Sequence, residues 1–339
     1  MKNLVIDIEK HFPSAVKIFE PCDYYTPNIP MDQMVCLQPI PDARYCKDRY
    51  GIEPIVEWES LEEEYDNVVF IWPVHSFNDP GYTPNIEERR EFFIKLYQKL
   101  NLKKINKYIY IDDSDRAVIK RGLDWLDSEN LQCDFVFKRE YRENWLNEYD
   151  NRVKSFPFIM FGKPNAAWTL YEERFVENID NKVNSCFWAG DARFNNDPNT
   201  PDENVDRVLI LNKIGSHIDV YNNIPPDIFM NTFLKYKFFL NLNGTGHLCK
   251  RFFEGLSKNS LMMMEYTDLV FPFENNDYFS KETIFKSAEE FIEKINILKN
   301  DQNLYENCLK NQNYLIDKYF NNEWVKEYIY SKLNNKKVK

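Results

Sequence analysis

The stretch from Tyr236 to Met264 constrains this chain more than any other. An apolar run, Phe238-Phe239-Leu240, leads into the polar turn Asn241 to Gly246. An amphipathic segment from about His247 to Lys258 follows, and a second apolar run, Leu261 to Met264, comes directly after it. The two runs read as strands, and the segment between them as a helix short enough to cross between parallel strands. The unit is βαβ. Gly244 and Gly246 allow close approach of the backbone to a ligand, and a helix starting there offers unpaired N–H groups to an anion. Lys250 and Arg251 add positive charge at that end, and the N–H of His247 is within reach of a phosphate. Glu254 stands about one turn beyond Arg251, where a carboxylate can accept hydrogen bonds from a ribose. The plain alternative is an ordinary βα loop with a solvated Arg–Glu pair.

The rest of the chain repeats the alternation. Apolar runs at Val16–Phe19, Met34–Leu37, Ile52–Val56, Val68–Val74, Tyr108–Ile111, Phe135–Phe137 and Phe156–Phe161 predict strands. Ile86–Leu100, Arg116–Leu126 and Arg142–Tyr149 predict helices between them. Beyond Gly162-Lys163-Pro164-Asn165 the alternation resumes with strands at Cys186–Trp188 and His217–Tyr221 and helices at Val205–Ile214 and Pro226–Leu234. Helices over 288–298, 304–320 and 324–333 close the chain, with Asn321-Asn322 marking a break. Strands alternating with helices define an α/β protein. At 339 residues the chain is long for one core and fits two domains. They are expected at 1–165 and 166–339, each Rossmann-like, the second carrying the terminal helices.

The net charge of −11 argues against a broad nucleic-acid surface, which needs clustered cations, so any anion site is local. Seven cysteines without CxxC spacing suggest neither a disulfide framework nor a zinc site, and point to a reducing, cytoplasmic setting. No signal-peptide pattern and no 18-residue apolar run occurs. The tail from Asn334 to Lys339 is basic; it is either frayed and solvated or an aid to weak peripheral contact with an anionic membrane face.

Two Rossmann-like halves facing a central cleft, with a strand–loop–helix site in the second, describe the GT-B glycosyltransferases. More narrowly, Phe187-Trp188-Ala189-Gly190-Asp191-Ala192-Arg193, then Arg207-Val208-Leu209, then KYKFFLNLNG and KRFFEGLSKNSLMM, resemble the lipopolysaccharide-modifying and protein O-glucosyltransferase family. The likeness spans Ser185 to Phe273, with Gly-Asp-Ala-Arg where that family has Gly-Ser-Arg. It implies transfer of a sugar from a nucleoside diphosphate, UDP first, to a glycan, lipid or protein acceptor. It also implies that cations replace a metal: Arg251 and Arg193 foremost, with Arg207 and Lys250 beside them, on loops following Gly190 and Gly244. Guanidinium forks suit the charge that builds on a departing diphosphate.

A base must also take the acceptor's proton. Asp113 and Asp115 follow the run Tyr108–Ile111 and so sit at a strand's carboxyl end; His75, with Asp79 nearby, follows another. In the resembling family an Asp after a comparable strand takes this role, which favours Asp113. Three alternatives stay open: an N-cap for the next helix, a metal-binding D-x-D, and the D-x-D of haloacid-dehalogenase phosphohydrolases. A sugar-nucleotide or glycan-binding protein without catalysis is a further reading. Trp72, Tyr82, Trp168 and Trp188 are candidates for stacking on a sugar or base, or for core.

Overall fold

The structure, a computed structural model, describes residues 2–7, 15–26, 53–72, 86–112, 119–156, 182–190, 207–222, 224–243, 248, 250–274 and 277–334. The chain forms two compact units. The first comprises Met1–Ala166, Leu269–Pro272 and Lys326–Lys339; the second comprises Ala167–Asp268 and Phe273–Val325.

The first unit is built on six strands: β1 (Asn3–Asp7), β2 (Cys22–Tyr25), β3 (Glu64–Ile71), β4 (Lys104–Asp112), β5 (Phe135–Lys138) and β6 (Val153–Ser155). They form one sheet in the order β2-β1-β3-β4-β5-β6, and every pairing is parallel. Helices α1 (Ala15–Phe19), α2 (Ile86–Leu100) and α3 (Lys120–Ser128) connect them. Strand ends such as Val68 to Ile71 and Tyr108 to Ile111 are buried at every position, as parallel strands covered on both faces require. On one face Phe70, Tyr108 and Tyr110 pack with Phe93, Tyr97 and Leu100 of α2 and Leu123 and Leu126 of α3.

The second unit carries β7 (Val183–Gly190), β8 (Ile218–Asn222), β9 (Tyr236–Asn241), β10 (Leu261–Glu265) and β11 (Ile284–Phe285). Their order is β11-β10-β9-β7-β8, again parallel throughout. Its helices are α4 (Arg207–Ile214), α5 (Pro226–Lys235), α6 (Lys250–Ser257), α7 (Ala288–Asn300) and α8 (Gln302–Tyr319). Helix α9 (Asn322–Leu333) starts in this unit, and its residues from Lys326 belong to the first. Alternation within β9 divides the core. Phe238 and Leu240 join Phe291, Ile295 and Tyr305 of the terminal helices, while Phe239 turns to the other face and meets Phe233 of α5 edge-on at 5.3 Å. Gln312 of α8 completes one side of β10: its Oε1 accepts the Met262 N–H at 2.9 Å and its Nε2 donates to the Ser260 carbonyl at 2.8 Å.

The α/β class, the two parallel sheets and the terminal helices with their break before Asn322 agree with the sequence. Several elements do not. Val16–Phe19, expected as a strand, lies in α1, and of Ile52–Val56 the described residues 53–56 form only a bridge between Ile55 and Tyr25. Arg142–Tyr149 contains a 3-10 helix, Glu143–Glu148. The runs Met34–Leu37 and 157–161 lie outside the described residues. Strands β1, β2, β6 and β11 were not expected. Among the described residues no helix is long and apolar enough to cross a membrane.

Candidate functional site

In the second unit the chain runs from β7 out to β8 and then returns to pair β9 on the other side of β7. Crossovers diverge between β7 and β9, and in open parallel sheets such a divergence leaves a ligand crevice at the carboxyl ends of the strands. Gly190 ends β7 there, and Asn241 ends β9.

Helix α6 begins at Lys250 after this edge and runs back along the sheet. Its apolar face, Phe252, Phe253 and Leu256, is buried, and Leu248 just before it is fully buried. Gly255 lies against Phe239 of β9: a Cβ there would stand 2.2 Å from the ring Cζ. Glycine thus sets how closely α6 approaches the sheet. At the helix's far end Asn259 takes a left-handed backbone, φ 53°. The buried Lys182 ammonium donates to the carbonyls of Lys258 (2.9 Å) and Asn259 (3.1 Å), and to Ser260 Oγ (3.3 Å). A cation at a helix C-terminus complements its dipole. The opposite, positive end faces the carboxyl edge, where Lys250 and Arg251 form the first turn and Glu254, one turn on, is buried.

Asn243, two residues past β9, is held at three of its polar groups. Its N–H donates to Glu265 Oε2 at 2.8 Å, its carbonyl accepts from Arg207 Nε at 2.7 Å, and its Nδ2 donates to the Tyr266 carbonyl at 2.9 Å. Burial raises the Glu265 carboxyl above its ordinary range, against the opposing pull of the Asn243 N–H and the Arg207 charge.

Of the residues singled out in the sequence, Gly190, Arg207, Lys250, Arg251 and Glu254 fall on elements of this one sheet edge. Side chains of Lys250 and Arg251 are outside the described part, as are Arg193, Gly244, Gly246 and His247. Asp113, Asp115 and His75 likewise lie outside the described residues, with Tyr82 and Trp168. Asp112, the first carboxylate of that acidic run, is fully buried at the end of β4 and pairs with Lys138 Nζ at 3.2 Å, so it is structural. Trp72 and Trp188 are buried in the cores and offer no stacking surface. Sequence reasoning missed Asn243, Glu265, Gly255 and Lys182. Glu265 carried a signal, being the first charged residue after the run Leu261–Met264; Lys182 carried none.

No protein-family model and no curated protein matches this chain. Solved structures do. Anabaena HepE in complex with UDP aligns over 99% of this chain and 100% of its own, with TM-score 0.56 and 9% identity. A T4 phage BGT mutant in complex with UDP-glucose aligns over 98% and 100%, with TM-score 0.50 and 11% identity. A Thermobaculum terrenum O-GlcNAc transferase mutant aligns over 98% of this chain and 66% of its own, with TM-score 0.50 and 9% identity. At such identities the likeness is one of fold. The chain has the GT-B fold: two units, each on a parallel sheet, with helices at the C-terminus.

Proposed function

We propose that this protein is a glycosyltransferase that moves a hexosyl or pentosyl group from a nucleoside diphosphate, UDP first, to a glycan, lipid or protein acceptor. One observation carries the reading: the start of α6, with Lys250 and Arg251 in its first turn and buried Glu254 one turn on, stands at the carboxyl edge beside the divergence of β7 and β9. A helix N-terminus flanked by cations suits a diphosphate, and a carboxylate one turn further suits ribose hydroxyls. Proteins of the same fold crystallised with UDP and with UDP-glucose support a uridine nucleotide.

Breaking the anomeric C–O bond leaves negative charge on the diphosphate as the ring becomes oxocarbenium-like. In this reading Arg251 and Arg193 stabilise that charge without a metal, aided by Lys250, with Gly244, Gly246 and His247 as further phosphate-binding candidates. Asp113 is our first choice for the base, followed by Asp115 and His75. Reaction in the cytoplasm, with weak contact to a membrane face through the basic tail, completes the proposal.

The test is a melting series with UDP, GDP, ADP and UDP-glucose, with and without EDTA. A ligand that binds only the native state raises its melting temperature by mass action. A rise with UDP that survives EDTA and disappears in Arg251→Ala is expected. No rise with any nucleotide, together with Mg²⁺-dependent phosphatase activity, would move the assignment to a phosphohydrolase.

A further inference from the structure

The β9–β10 ladder ends at the pair Asn241–Met264. Two residues later the Asn243 N–H has no ladder carbonyl opposite it, and the Glu265 side chain accepts it instead, while the Tyr266 backbone takes the Asn243 amide. The other side of the same residue is taken by Arg207, the first residue of α4. α4 belongs to the crossover leaving β7, and Asn243 to the one leaving β9. A single guanidinium therefore ties together the two chain segments that flank the divergence of the sheet. We propose that Arg207 and Glu265 are positioning residues for nucleoside-diphosphate binding, acting through the Asn243 residue they grip from opposite sides. The inference rests on the donor-site reading above and gives Arg207 a different task from direct phosphate contact.

The physical reason is preorganisation. Asn243 is the residue before Gly244, and glycine-containing backbone is costly to order. Holding Asn243 in the free protein spares ligand binding the cost of ordering that residue. Asn243 itself is buried, and Arg207 and Glu265 both spend a hydrogen bond on its backbone.

The experiment is titration calorimetry of UDP into the full chain for wild type, Arg207→Ala, Glu265→Ala, Glu265→Gln and the Arg207→Ala/Glu265→Ala double variant. Backbone amide exchange at Asn243 without nucleotide is measured alongside. Each alanine variant is expected to weaken UDP roughly tenfold, the worth of a charge-assisted hydrogen bond. Glu265→Gln regains most of that loss, because its amide oxygen still accepts the Asn243 N–H. The double variant is no weaker than the worse single one, since both act on one residue. Asn243 exchange speeds up in the alanine variants and returns toward wild type in Glu265→Gln. Additive losses would make Arg207 a direct ligand contact, and Glu265→Gln as weak as Glu265→Ala would make the carboxylate one; either overturns the proposal. Should Glu265→Ala not fold, Arg207→Ala and Glu265→Gln decide by exchange at Asn243: unchanged exchange in Arg207→Ala overturns it. A wild-type protein that binds no nucleoside diphosphate overturns the functional reading itself, whereas wild-type binding with unaffected variants overturns only this inference.

Discussion

Gly255 of α6 and Phe239 of β9 are in such close contact that a Cβ on the glycine would stand 2.2 Å from Cζ of the ring. Phe239 is buried and packed edge-on against Phe233 on the same face. Overpacking of this kind costs about 1–3 kcal/mol, offset by at most ~1 kcal/mol from alanine's better helix propensity. Gly255→Ala should therefore lower stability in urea denaturation and, by lifting the start of α6 from the sheet edge, weaken UDP binding too. Adding Phe239→Leu should recover part of both losses. Undiminished stability in the single variant would show that the ring moves freely.

The second prediction concerns Asp112 and Lys138, whose side chains are fully buried at the ends of β4 and β5 and 3.2 Å apart. Removing one partner weakens the compensation of the other's buried charge, at a cost of up to roughly 3–5 kcal/mol, whereas removing both takes the pair's two charges away together. Lys138→Met should be strongly destabilising, and Asp112→Asn/Lys138→Met should be more stable than Lys138→Met alone. Equal stability of the single and double variants, measured by denaturant midpoint, would show that the pair is not coupled.

The third follows from the titration of Glu265. Its carboxyl is raised above the ordinary value of 4.5, chiefly by burial. The native protein then holds this proton more tightly than the unfolded chain does. The stabilisation is full below 4.5 and is lost as pH rises through the native value. Glu265→Gln keeps an acceptor for Asn243 and carries no charge, so wild type should lose stability relative to the variant as pH rises from 4.5 toward neutrality, and the gap should then level off. Parallel stability curves across that window would remove Glu265 from the pH dependence.

Much of the fold was legible because a strand and a helix differ in local period. Phe238 to Leu240 and Leu261 to Met264 read as strands since unbroken apolar runs suit strands buried on both faces. The failures have the same origin. A short apolar run such as Val16–Phe19 fits a helix turn and a strand equally well, and here it is the helix α1. Strand β1 has no such mark: Asp7 ends it and Glu9 and Lys10 follow, yet its five residues are all buried.

By itself, then, the sequence determined the α/β class, the βαβ unit at 236–264 and the placement of Lys250, Arg251 and Glu254 at the start of its helix. These are properties of neighbouring residues, set by periodicity and by which side chains can cap or charge a helix end. Only the tertiary structure decided that the sheet diverges between β7 and β9, that Trp188 belongs to the core, and that Arg207 and Glu265 meet on Asn243. Those contacts join residues far apart in the chain. Strand order depends on which apolar faces cover one another once the chain has collapsed, and no local pattern records that choice.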